Sequence, residues 1–111
     1  MKIQDLGERV PIFYAGEYDL NNDPYGKIIA KLGRDLGSFV KKDVPKGSTY
    51  VVDLENISPE KTFIQATLIT QMRSDYPFNI KMYISGLSDQ IKNSLKISAI
   101  GAPLEGRILE C

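Results

Sequence analysis

Few residues in this chain can do chemistry, and most are carboxylates and hydroxyls gathered near one strand. Asp53-Leu-Glu55 closes an apolar run, Asp19 and Asp23 lie in an earlier polar loop, and Ser58 and Thr62 flank a helix start. Carboxylates brought together from loops at one sheet end offer hard oxygen ligands of the kind Mg²⁺ takes. Asp19, Asp23 and Asp53 are therefore candidate metal ligands, and solvated or capping carboxylates are the plainer account of the same residues. A phosphorylated hydroxyl at a helix N-terminus would place close to two negative charges where amide donors and the helix dipole accept them. Thr62 and Ser58 are candidates for that role, although both residue types also serve as ordinary helix caps. The chain contains no histidine, which removes the commonest general base and zinc ligand. Cys111 is the sole cysteine, so an internal disulfide is impossible. Gly33-x-x-x-Gly37 falls inside a helical pattern, and no Gly-x-x-x-x-Gly-Lys phosphate cradle occurs. On these residues the chain is expected not to be an enzyme and to use no cofactor.

The elements that must position these groups follow from hydrophobic periodicity. Val10-Pro-Ile-Phe-Tyr-Ala15 is a short branched and aromatic run that predicts a strand, with Pro11 at its start or on an edge. Lys2-Ile3-Gln4 is a weaker candidate for a preceding strand. Asp23-Pro24 supplies an N-cap followed by proline at the first helical position. From there Tyr25, Ile28, Ile29, Leu32, Leu36, Phe39 and Val40 recur at spacings of three and four, which predicts an amphipathic helix of about 18 residues. Gly33 and Gly37 weaken that helix by roughly 1 kcal/mol each relative to alanine. Spaced by four, they share a face that another backbone can approach.

Asp43-Val-Pro-Lys-Gly47 breaks the helix, and Thr49 to Leu54 follows without strict alternation. A continuous apolar run predicts burial on both faces, as in a central strand of a parallel sheet. Ser58-Pro59-Glu60 matches N-cap, proline and first-turn acid, and Ile64, Leu68, Ile69 and Met72 supply the apolar stripe of a second helix that stops before Pro77. Asn79 to Ile84 alternates, with Ile80, Met82 and Ile84 on one face and Lys81 and Tyr83 on the other, as expected nearer a sheet edge. Ser88 is a plausible cap for a third helix through Leu87, Ile91 and Leu95 that ends by Gly101. Residues 102 to 111 form a tail that could hold a last strand at Arg107-Ile-Leu109. Alternating strands and helices imply a mostly parallel sheet with right-handed crossovers.

Composition bounds the class of protein. The chain has 111 residues, 42% of them hydrophobic and 25% charged, values that suit one soluble globular domain. Lysine and arginine together number 14, matched by 14 acidic residues, for a formal net charge of zero. That balance lacks the electrostatic footprint of nonspecific nucleic-acid or anionic-membrane binding. Lys41-Lys42 is the one adjacent basic pair. Tyr14, Tyr50, Tyr76, Phe78 and Tyr83 are scattered in the manner of core and sheet packing rather than base stacking. The first residues form no apolar h-region and no run approaches membrane-spanning length, so a cytoplasmic location is expected.

Four features, in order, resemble the STAS family, named for sulfate transporters and anti-sigma factor antagonists. Gly16-Glu-Tyr-Asp19 resembles the family's Gly-Glu-Leu-Asp turn after the first strand, and the Asp23 helix follows it. Val51-Val-Asp-Leu54 resembles the strand ending in Val-Leu-Asp-Leu. Ile84-Ser-Gly-Leu-Ser-Asp-Gln-Ile-Lys-Asn-Ser-Leu95 is similar to the final strand, turn and helix. The resemblance covers residues 8 to 101 and implies a single α/β domain with a four- to five-stranded, mostly parallel sheet and about three helices. It also implies a regulatory protein-binding module. The departure falls at the switch: the Asp-Ser-Ser-Gly turn, whose second serine is phosphorylated in switch-type members, meets Lys61-Thr-Phe-Ile64. Phe63 stands at the serine position, and a one-position shift would make Thr62 its equivalent. The segment is more similar to divergent STAS-like domains that partner histidine-kinase-like ATPases.

The docking surface implied is the turn and helix carrying Glu60, Lys61, Phe63, Ile64, Gln65 and Leu68, the last three as anchors if the second helix is left uncovered. Homodimerisation is compatible with such a module. Two other classes stay open on the sequence. One is a small Mg-dependent phosphoryl-handling enzyme centred on Asp53, since haloacid-dehalogenase phosphatases place Asp-x-Asp at a strand end, here Asp53-Leu-Glu55. The other is a structural or assembly subunit.

Overall fold

The computed structural model describes residues 2–7, 9–57, 62–87 and 106–109, and the backbone alone at 62 and 63. Its central feature is a three-stranded parallel sheet in the order β1-β2-β3, formed by β1 (Ile12–Tyr14), β2 (Thr49–Asp53) and β3 (Lys81–Ser85). Ile12, Phe13 and Tyr14 register with Val51, Val52 and Asp53, while Thr49 to Asp53 register with Lys81 to Ser85. The apolar run is therefore the middle strand, as its lack of alternation implies, and Tyr50, Val51 and Val52 are all fully buried. Pro11 sits just before β1, and its carbonyl accepts the Val51 N–H at 2.9 Å, so its missing donor is not required by the ladder.

The connections are α1 (Lys27–Asp43) and α2 (Thr62–Asp75). Both crossovers step the same way across the sheet, and right-handed connections of that kind put both helices on one face. The core lies between them and the sheet. Leu32, Leu36 and Val40, one helical turn apart, meet Ile64 and Leu68 of α2 and the inward strand residues Phe13, Tyr50, Val52, Met82 and Ile84. Phe39 is edge-on to Tyr50 at 6.0 Å between ring centroids and tilted against Phe13 at 5.5 Å, tying α1 to two strands. Val51 points to the opposite face by the pleat of β2 and is also fully buried.

Several element ends differ from those read in the sequence. Asp23-Pro24 does not open α1 directly. The chain makes a turn through Gly26, whose φ of 70° suits glycine, and α1 begins at Lys27. Tyr25 leaves the apolar stripe as a result and is 86% exposed. Ile3–Leu6 form a 3₁₀ turn in place of the early strand. Beyond β3, Ile108 makes a parallel bridge to Ile84, and the Leu109 N–H donates to the Ile84 carbonyl at 2.7 Å. The Arg107–Leu109 segment thus adds to the sheet edge by a bridge. Tyr76 and Phe78, expected to pack, form a 3₁₀ turn with Pro77 and are 85% and 49% exposed. The third helix expected from Ser88 lies outside the described residues.

Among the described residues no helix is long and apolar enough to cross a membrane. The molecule is a mixed α/β domain with two α-helices among the described residues.

Candidate functional site

The carboxyl ends of all three strands feed loops that meet over β2. Two glycines make that meeting possible. Gly16, just past β1, lies so close to the loop after β2 that a Cβ there would overlap the Glu55 carbonyl oxygen. Gly86, just past β3, has φ of 80°, and a Cβ on it would stand 2.6 Å from the Glu55 nitrogen and 2.7 Å from Asp53 Oδ1. The Glu55 backbone is gripped from both sides. Ser-Gly at the end of β3 is a turn signal in the sequence, but only the packed sheet shows what the turn encloses.

Asp53, the last residue of β2, accepts the Glu55 N–H on Oδ1 at 2.8 Å, an Asx turn that bends the chain off the strand. Asn56 takes φ of 70°, and the Ile57 N–H returns to the Leu54 carbonyl at 3.0 Å. On the β1 side, Ala15–Glu17 and Leu20–Asn22 form 3₁₀ turns. Between the two loops lies a crevice of about 260 Å³ bordered by Glu17, Tyr18, Asp19, Asn21, Asn56 and Ile57. It lies outside the carboxyl ends of the parallel strands β1 and β2.

Tyr18 anchors the crevice to α1. Its hydroxyl donates to Asp35 Oδ2 at 2.6 Å, and its ring stacks on Phe13 at 5.9 Å. Burial pushes the Tyr18 phenol up to about 12, with the hydrogen bond to Asp35, the Asp35 charge and the Glu17 charge adding to the effect. The bond to Asp35 fixes the direction in which the hydroxyl donates. Sequence reading had no signal for this pair, whose members are 17 positions apart.

The proposed metal triad does not assemble. Asp23 turns to the start of α1, where Oδ1 accepts the Ile28 N–H at 3.0 Å and Oδ2 accepts the Ile29 N–H at 2.9 Å. That carboxylate satisfies two of the orphan amides of the helix and complements its dipole. Asp53 is committed to its own loop, and Asp19 is exposed on the crevice rim. Among the described residues no three His, Cys, Asp or Glu side chains are grouped to hold a metal ion.

The docking residues divide. Ile64 and Leu68 are 0% and 1% exposed and Gln65 8%, so the expected anchors are not open to a partner. Ile64 and Leu68 pack in the core cluster with Leu32, Leu36 and Val40 of α1 and the inward strand residues, so these apolar positions of α2 are taken up by the core. Ser58, Glu60 and Lys61 lie outside the described residues. Thr62 opens α2, and the side chains of Thr62 and Phe63 are likewise outside the description. Ile57, the last residue described before this segment, is buried and borders the crevice.

No family model, curated protein or solved structure matches the chain.

Proposed function

We propose that this chain is a regulatory protein-binding module of the STAS-like kind, completed to a sheet of four to five strands with about three helices. The partner class is a histidine-kinase-like ATPase or a similar regulator. The docking surface is the rim formed by Glu17, Asp19, Glu55 and Asn56 together with the Ser58 to Phe63 turn that leaves it.

The observation that carries this reading is the packing of Gly16 against the Glu55 carbonyl at the end of β2. It brings the Gly-Glu-Tyr-Asp turn and the end of the Val-Val-Asp-Leu strand, which carry the family resemblance, side by side at one sheet end. The rim there is acidic and polar, with Glu17, Asp19, Glu55 and Asn56 all exposed. Such a rim suits electrostatic selection of a partner. The buried α2 stripe removes Ile64, Gln65 and Leu68 from that surface, so recognition rests on the loops. Exchange of partners would be controlled by the nucleotide state of the ATPase or by phosphorylation at Thr62 or Ser58.

A photo-crosslinking residue in place of Glu60, in cells of the native host, tests the surface. An ATPase crosslinked there and not from Tyr25, on the far side of Asp23, supports the proposal. Equal crosslinking from both positions contradicts it. Mass spectrometry of the same material tests the control: unmodified Thr62 and Ser58 under every condition would leave nucleotide state as the sole switch.

A further inference from the structure

A second pocket lies at the opposite end of the sheet, where α1 and α2 end and β3 begins. We infer that it is a binding site for a small amphipathic organic anion, a carboxylate on an apolar body. The pocket holds about 360 Å³, and Val40, Val44, Ile80 and Phe78 form its apolar walls. That volume falls at the lower end of the roughly 300–1,000 Å³ typical of small-molecule sites. Phe78 is 49% exposed and carries the Lys46 ammonium over its ring.

The charge facing the pocket is positive. Lys41 and Lys46 both border it, and the Lys46 ammonium stands 5.3 Å from the centre of the Phe78 ring. Lys41 has a second task, since it lies in the last turn of α1 and offsets the negative end of the helix dipole. Lys46 lies beyond the helix, in the turn before β2, and is the better counter-ion. Asp75 also borders the pocket but is 2% exposed. Its carboxylate oxygens already accept the Tyr50 hydroxyl at 2.6 Å and the Gln71 amide at 2.9 Å. It is a satisfied wall, and an ammonium ligand would find no exposed carboxylate there.

Gly37 gives this reading a further support. It borders the pocket from within α1, where glycine costs about 1 kcal/mol relative to alanine. A Cβ at Gly37 would meet only Gln71 Oε1 at 3.7 Å, an ordinary contact, so packing against α2 does not require the glycine. What its missing side chain preserves is the volume of the pocket.

Titration of the full chain with octanoate, followed by backbone and methyl NMR, tests the inference against octanol and octylamine of the same length. Saturable shifts confined to Val40, Val44, Phe78 and Ile80 are expected, with octanoate tighter than both controls. Lys46→Glu should weaken octanoate roughly tenfold, the worth of one charge-assisted hydrogen bond. Gly37→Leu should remove binding while leaving thermal stability equal or higher. Octanol or octylamine binding as tightly as octanoate, shifts spread over the surface, or unchanged affinity in Lys46→Glu would overturn the inference. Lys46 is exposed in a turn, so its replacement reports on binding even if Gly37→Leu misfolds.

Discussion

At the scale of single residues, two of the carboxylates that look most chemical, Asp23 and Asp53, are spent on structure. Asp23 is the clearest case. Its two oxygens close the first turn of α1 across Pro24, Tyr25 and Gly26, so the helix has a side-chain cap although its N-cap residue is glycine. Asp23→Ala should lower unfolding free energy by about 1 kcal/mol, and Asp23→Asn should recover much of it, as measured by urea denaturation. The sequence names Asp23 as a cap correctly but shifts the helix start, because a glycine in the left-handed region can turn the chain once more before the helix begins. Tyr18 makes a pH-dependent contribution. Its phenol is held up to about 12 in the folded state against 10.0 for a free tyrosine, so the unfolded chain loses that proton first as pH rises. The stability it contributes is full below pH 10 and declines as pH climbs from 10 toward 12. Denaturation of the wild type and of Tyr18→Phe across pH 8 to about 12 should show a gap that shrinks above pH 10; a constant gap would contradict the assignment. Tyr50 is displaced in the same direction, by burial first and then by its bond to buried Asp75. Neither tyrosine pairing is legible in the sequence, since each joins residues far apart in the chain.

At the scale of elements, periodicity was a good guide wherever one face of an element meets the core. Leu32, Leu36 and Val40 mark α1, and Ile80, Met82 and Ile84 mark β3, in both cases by the spacing of side chains on a single face. It misled where apolarity and exposure part company. Tyr25 reads as core from spacing and Tyr76 and Phe78 from residue type, yet each lies in a turn and is exposed. The reverse holds in α2, where polar Gln65 and Asp75 are buried and no alternation announces it. The helical glycines lie on the face that α1 turns to α2, and neither requires hydrogen in place of a side chain. A Cβ at Gly33 would touch Thr67 Cγ2 at 3.5 Å, an ordinary contact. Gly33→Ala should therefore stabilise the domain by about 0.5–1 kcal/mol and raise the melting temperature by a few degrees in calorimetry. A lower melting temperature would mean that the α1–α2 seam is tighter than these contacts imply.

At the scale of the whole molecule, alternation of strands and helices predicts the parallel sheet, and the unbroken apolar run predicts which strand is central. Both expectations match the sheet order β1-β2-β3. The convergence of loops at the carboxyl ends of the strands follows from that topology. What the sequence does not express is how closely those loops pack: the grip of Gly16 and Gly86 on Glu55 depends on all three strands being in register. The same topology draws the face of α2 that carries Ile64 and Leu68 into the core.

The central claim is that a regulatory partner docks on the loop rim and the turn leading out of it. The most direct measurement is the complement of proteins retained by the wild type and by a double charge reversal, Glu60→Lys with Lys61→Glu, in extracts of the native host. Preserved amide shifts in β1, β2 and β3 would show the fold to be intact. The account predicts that a histidine-kinase-like ATPase is retained by the wild type and lost from the double variant. Retention of every partner by the double variant would contradict it.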